Sequence, residues 1–329
     1  MKVFCGVLLC TLPGMAAVTG TVINRTTGQP QAGITVSLLR MGQAGPEPAG
    51  DVKADAQGKF SLDQRVEGLT LLRATLDGVT YNKMLPPGQP TQGVTLDIYN
   101  ASTLPGDAKV SKHMLLFQPQ GKEVVVNEAY IVTNDGKTAW NDPAGGTIHL
   151  YLPKGASKVE VNATPPAGMP LKAAPQKTKT PEVYKLDFAI RPGETRVDMS
   201  YSVPYTEGMP YAGKIVSGDE NTYLIVPEGI SMKGDHLSDL GPEPNTKAHI
   251  YGLEGTDYSV VFTGTVAPAN ENAPADADSS AGQPQVEQIM PRLYSKLNLI
   301  LPLALGILAL GFVLLYRAPV KETHERGRG

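Results

Sequence analysis

Near its C-terminal end the chain carries a stretch that no water-soluble fold would leave exposed. Leu297 to Tyr316 reads LNLILPLALGILALGFVLLY, twenty residues without a charge. As a helix rising about 1.5 Å per residue it would span about 30 Å, the thickness of a bilayer's hydrocarbon core. The stretch is therefore expected to be a transmembrane helix, within 289–317. Everything before it must then lie on one side of a membrane. Arg317, Lys321, Arg326 and Arg328 follow it. A short basic tail at 318–329 fits a cytoplasmic C-terminus by the positive-inside bias.

The N-terminus agrees with that direction. Lys2 precedes an apolar run from Val3 to Leu12, then Pro13-Gly14 and the small pair Ala16-Ala17. This is the pattern of a secretory signal peptide, expected to be removed after Ala16 or Ala17. Leu9 is bulky where a lipoprotein site at Cys10 would need a small residue. Both cysteines, Cys5 and Cys10, lie in this segment. The exported part would have no disulfide and no thiolate metal site, and its domains would be held by core burial alone. A cysteine-free exported protein points to a bacterial envelope. The net charge of −3 with scattered basic residues gives no footprint for nucleic acid.

Between these ends the pattern is β throughout, and an all-β fold of two, or three, antiparallel sandwiches is expected. In the first, 18–103, Val18 to Ile23 reads as a strand and Arg25 to Pro30 as a turn. In Gly33 to Leu39, Ile34, Val36 and Leu38 share a face. Gly42 to Gly50, rich in Gly and Pro, reads as a loop. Asp55-Ala-Gln-Gly58 reads as a turn that leads Phe60 and Leu62 into the core. Strands at about ten-residue spacing with turn chemistry between them imply a small sandwich.

Four pieces of this segment occur in a familiar order: Val18-Thr-Gly-Thr-Val22, Thr27-Gly-Gln-Pro30, Gly33-Ile-Thr-Val36 and Asp55-Ala-Gln-Gly-Lys-Phe60. Together they resemble the carboxypeptidase regulatory-like domain. The resemblance implies a transthyretin-like fold, grouped with carbohydrate-binding-like sandwiches, over about a quarter of the chain. It implies no peptidase, because the family is an accessory module attached to unrelated proteins. A zinc carboxypeptidase needs a His-x-x-Glu pair and a distant His. None of the five histidines, His113, His149, His236, His249 and His324, has Glu three residues on.

The segment 104–265 reads as a larger sandwich of about nine strands, with a sub-boundary at 205–214 as an alternative. Asn134-Asp-Gly136 signals a hairpin or tight turn. Ile148, Leu150 and Leu152 share a face, as do Val197, Met199, Tyr201 and Val203. Thr164 to Pro181 reads as a long exposed hairpin loop. The segment 266–288 is rich in Ala, Pro, Asp and Ser. With almost no large apolar residue it is expected to be an extended tether.

The candidates for chemistry are few. Trp140, the single tryptophan, falls in the loop Lys137 to Ala144, where it would stack on a sugar ring or cap the core. The tyrosines of this segment fall mostly in strands, where packing is the default. Asp235, His236 and Asp239 lie together in a Gly-flanked loop, the residue types for a metal ligand set or proton transfer, and equally for turn capping. Asp219-Glu220-Asn221 lacks the spacing of a calcium loop. Ser231 lacks a Gly-x-Ser-x-Gly context. Asn24-Arg-Thr26, Asn100-Ala-Ser102 and Asn162-Ala-Thr164 match the glycosylation pattern and matter only in a eukaryotic secretory pathway.

The expectation that results is a non-enzymatic, single-pass inner-membrane protein without a cofactor. Its periplasmic or extracellular ectodomain would bind a carbohydrate or an envelope protein. The alternatives are a scaffold subunit of a membrane complex, and an enzyme whose site is assembled from loops around His236 and Trp140.

Overall fold

Alternating apolar residues over short spans, broken by glycine and proline, leave the chain little choice but strands. The computed structural model describes residues 18–264, apart from 43–44, 65, 67 and 219–221. Among the described residues the chain is all-β, with no α-helix. None of their elements is a helix long and apolar enough to cross a membrane. The expected signal segment, tether, membrane helix and tail lie outside the described residues, as does Asp219-Glu220-Asn221.

The first nine strands are β1 (Val18–Asn24), β2 (Gln29–Pro30), β3 (Thr35–Gly42), β4 (Gly45–Lys53), β5 (Lys59–Leu62), β6 (Thr70–Leu76), β7 (Val79–Leu85), β8 (Val94–Ile98) and β9 (Ala101–Ser102). One sheet runs β4-β3-β6-β7. In the other, β1 pairs with β2, β5 and β8. The two share a hydrophobic cluster that includes Val22, Val36, Phe60, Leu72, Tyr81 and Ile98.

Gly20 explains why β1 needs its glycine. It stands opposite Phe60 on β5 and Val94 on β8. A Cβ there would run into the Phe60 ring and the Val94 carbonyl. The turn into β5 is built by Asp55, whose Oδ1 accepts the N–H groups of Gln57 (2.9 Å) and Lys59 (2.8 Å). Gly58 takes the positive φ that closes it.

The expected loop from Gly42 to Gly50 is instead largely strand. β4 covers Gly45–Lys53 and pairs antiparallel with β3, placing Pro48 opposite Leu39 and Pro46 opposite Met41. Proline is tolerated there because β4 is the sheet's edge, where the missing N–H has no partner to disappoint.

The remaining strands are β10 (Ala108–Gln120), β11 (Glu123–Asn134), β12 (Ala139–Trp140), β13 (Ile148–Tyr151), β14 (Ser157–Thr164), β15 (Leu171–Lys172), β16 (Gln176–Lys177), β17 (Val183–Leu186), β18 (Gly193–Pro204), β19 (Tyr211–Lys214), β20 (Thr222–Val226), β21 (Ile230–Gly234), β22 (Leu237–Pro242), β23 (His249–Leu253) and β24 (Asp257–Gly264). An eight-stranded sheet is ordered β15-β14-β18-β11-β10-β20-β23-β22. Two small sheets run β13-β17-β16 and β19-β24-β21. Inward-facing residues of all three join one core, among them Phe117, Val126, Leu150, Leu186, Met199, Tyr211 and Phe262, in a sandwich-like arrangement.

Of the six strands beyond the expected nine, β12, β15 and β16 are two-residue pieces, and the other three are β19, β21 and β22. β15 and β16 both fall in Thr164 to Pro181, so that segment is not one plain loop. It pairs back on β14 and on β17. The sheets are also not purely antiparallel: β1–β8, β10–β20 and β9–β12 are parallel pairs. Each joins strands far apart in the chain, where intervening elements supply the crossover that a parallel pair requires. Asn134 closes a tight turn, not a hairpin. Its Oδ1 accepts the Gly136 N–H at 3.1 Å, and β12 then pairs with β9.

Residues 18–264 belong to one compact unit. Ala139, from β12, is fully buried in the cluster formed by the first strands.

Candidate functional site

The segment holding Asp235, His236 and Asp239 crosses from one sheet to another. β21 pairs only with β24 and β22 only with β23 among the described residues, so both are edge strands. The turn Asp235-His236 links them, and His236 takes a positive φ of 62° to make the reversal. Both turn residues are exposed. Between the two edges lies an open cleft of about 450 Å³, lined by Ser231, Met232, Lys233, Gly234, Leu237, Asp239, His249 and Tyr251.

Of the three residues singled out in the sequence, only Asp239 lines this cleft, and its partner is not His236. β22 and β23 pair with a bulge between Asp239 and Gly241, which sets Asp239 opposite Tyr251 and close to His249. Asp239 Oδ1 lies 2.6 Å from His249 Nε2 and also accepts the Gly241 N–H at 2.8 Å. The His249 hydrogen bond first, and the Gly241 N–H second, hold the Asp239 carboxyl below the usual carboxylate range. The imidazole stacks on Tyr251, with ring centroids 4.7 Å apart. The Tyr251 hydroxyl accepts the N–H of Met232 on β21 at 3.2 Å, tying the two walls together.

Ser231, His249 and Asp239 are the residue types of a hydrolase triad, but they are not arranged as one. Ser231 Oγ bonds to Thr263 Oγ1 at 3.0 Å, with no hydrogen bond to His249. Among the described residues no group of three or more His, Cys, Asp or Glu is placed to hold a metal ion.

Trp140 stands elsewhere, in β12 and not in a loop. Its backbone brackets Ile190 through two hydrogen bonds of 2.9 and 2.8 Å, its Nε1 donates to the Thr103 carbonyl at 3.2 Å, and its ring is half-buried against the larger core. Two of the glycosylation motifs are locked into the same region. Asn24 is 3% exposed and its amide donates to Asn100 Oδ1 at 2.7 Å. A folded chain offers no reactive amide at Asn24.

A second cluster lies inside the larger core. Glu128 points inward from β11 and is 5% exposed. Its Oε2 accepts from Tyr130 at 2.8 Å and meets His113 Nε2 at 3.3 Å, and its Oε1 accepts from Tyr201 at 2.8 Å. Tyr201 and Tyr211 share a hydroxyl contact at 3.2 Å, and His113 stacks on Tyr130 at 3.9 Å. Burial raises the Tyr130, Tyr201, Tyr211 and Tyr258 hydroxyls above the ordinary tyrosine range, and the Glu128 carboxylate adds to the rise. The strand alternation carries the signal for this cluster: Val124, Val126, Glu128, Tyr130 and Val132 share one parity.

No family model matches the chain, and no curated protein matches it. Among solved structures, an M1 zinc metallopeptidase from Deinococcus radiodurans, a point mutant bound to a Tyr-Ser-Ala substrate, is similar at 12% identity and TM-score 0.27, over 52% of this chain and 51% of that one. The similarity spans about half the length of that structure and carries no argument about this chain.

Proposed function

We propose that the chain is a non-enzymatic, single-pass membrane protein of the bacterial cell envelope that binds a carbohydrate in the cleft between β21 and β22. In this reading 18–103 and 104–265 are sandwich domains, the first of the carboxypeptidase regulatory-like type. The tether at 266–288 and the helix at 289–317 hold them outside the inner membrane. The observation that carries the binding role is the Asp239–His249 pair at the open cleft. A side chain 64% exposed offers a fixed acceptor for ligand hydroxyls, beside a flat imidazole backed by Tyr251. Such pairing of a polar anchor with ring surface is how a small hydroxylated ligand is oriented.

The test is a glycan array with the full chain in mild detergent, run beside a pull-down from envelope extract. Binding to glycans that Asp239→Ala and His249→Ala both remove is the expected result. No glycan binding, with a tightly co-purifying protein that survives both variants, would replace this reading by a scaffold role. Hydrolysis of the bound glycan would replace it by an enzyme.

A further inference from the structure

The cleft holds charges of both signs, Lys233 and Asp239, that do not pair with each other. Three of its lining residues carry or accept charge: Lys233, Asp239 and His249. Asp239 Oδ1 is engaged by His249 and the Gly241 N–H, which leaves Oδ2 open to the cleft. Lys233 forms no ion pair among the described residues, although seven other pairs do form there. The charged groups around the cleft do not compensate it. Glu243 is engaged by Asn245 and Thr246, and Lys247 pairs with Glu228 at 3.5 Å. Asp235 and His236 sit in the exposed turn and do not line the cleft. The cleft therefore presents a lone ammonium beside a hydroxyl-accepting carboxylate. Tyr251 completes the set. Its oxygen accepts the Met232 N–H, and its own proton has no acceptor among the described residues.

We propose that the ligand is an acidic saccharide, a sugar bearing a carboxylate such as a uronic acid, with Lys233 as the residue that reads the charge. The inference rests on the reading of the cleft as a carbohydrate site. The ammonium pairs with the ligand's carboxylate as a point charge with three donors. Asp239 accepts from ring hydroxyls, and the Tyr251 hydroxyl donates to one. A neutral sugar leaves the ammonium with only water, and a purely anionic ligand without hydroxyls leaves Asp239 unserved. The combination selects for both features in one molecule.

The experiment titrates the full chain in mild detergent with three probes: a uronic-acid tetrasaccharide, a neutral hexose tetrasaccharide of the same linkage, and an unstructured peptide of the same negative charge. A charge-assisted contact predicts that the acidic sugar binds about tenfold tighter than the neutral one at low salt. Added salt weakens only the acidic arm. Lys233→Met removes the preference, and Lys233→Arg retains it. Equal affinity for both sugars, or a preference that survives Lys233→Met, overturns the inference and leaves the carbohydrate reading standing. Binding of the peptide as tight as the acidic sugar overturns it in favour of a protein partner. Failure of both sugars overturns the inference together with the reading beneath it.

Discussion

Glu128 is the one carboxylate buried in the larger core among the described residues. A carboxylate among Val126, Leu115 and Met199 loses its hydration, and only hydrogen bonds offset that loss. Here His113, Tyr130 and Tyr201 supply them. Glu128→Leu keeps the bulk but orphans the His113 and Tyr130 donors, and is expected to cost about 3–5 kcal/mol. Urea unfolding followed by tryptophan fluorescence measures it. Removing two of the donors as well, in the triple variant His113→Phe, Glu128→Leu, Tyr130→Phe, should recover most of the loss, because the third, Tyr201, keeps the Tyr211 hydroxyl as a partner. A single variant as stable as the parent would show that the cluster does not act as a unit. The alternation of β11 is by itself enough to put Glu128 on the core face. Its partners cannot be read in the same way, since His113 is fifteen residues away and Tyr201, on the neighbouring strand β18, is seventy-three.

Registers, more than residue types, decide the site at the scale of elements. Asp235, His236 and Asp239 are neighbours in the chain, yet the edge crossing splits them. The real partner, His249, reaches Asp239 through the bulged hairpin of β22 and β23. Nothing in the spacing of an aspartate and a histidine ten residues apart announces a bulge, so this pairing is not legible in the sequence. The alternation of β1, β3 and β18 is legible, because one buried face of a strand fixes the parity of the whole strand. The proline-rich β4 reads as a loop because proline excludes a central strand, but it does not exclude an edge. Gly20 gives the element-scale prediction. It holds β1 between β5 and the parallel β8, with no room for a methyl group. Gly20→Ala is expected to destabilise the chain by about 1–3 kcal/mol through overpacking, read as a lower urea midpoint at unchanged slope. Thr21→Ala on the other face of the strand is the control. An equal loss in both variants would point to strand propensity and not to the Phe60 contact.

At the scale of the whole molecule, the two hydrophobic clusters are joined through β12. Ala139 is buried in the first cluster, its N–H donates to Asn100 at 2.9 Å, and the Arg191 guanidinium sits over the Tyr81 ring at 5.9 Å. A chain cut near residue 103 would lose Ala139 from that core. The joint can be tested through tyrosines, because the raised hydroxyls fall on both sides of it. Tyr81 packs in the first cluster, with burial raising it chiefly, and Tyr130, Tyr201, Tyr211 and Tyr258 pack in the second. In the unfolded chain these groups ionise near pH 10, whereas the folded chain holds their protons to higher pH. The folded state thus binds more protons above pH 10, and its stability is full below that pH and falls as pH rises beyond it. Each tyrosine contributes at most about 1.4 kcal/mol per pH unit, and several together erode a stability of the size an ordinary domain has. The chain should therefore unfold as the pH rises above 10. Tyrosinate absorbance should rise in one step together with the loss of β-sheet circular dichroism. Two separated steps, with Tyr81→Phe reducing only one of them, would mean that the clusters unfold independently and that the β12 contacts do not couple them.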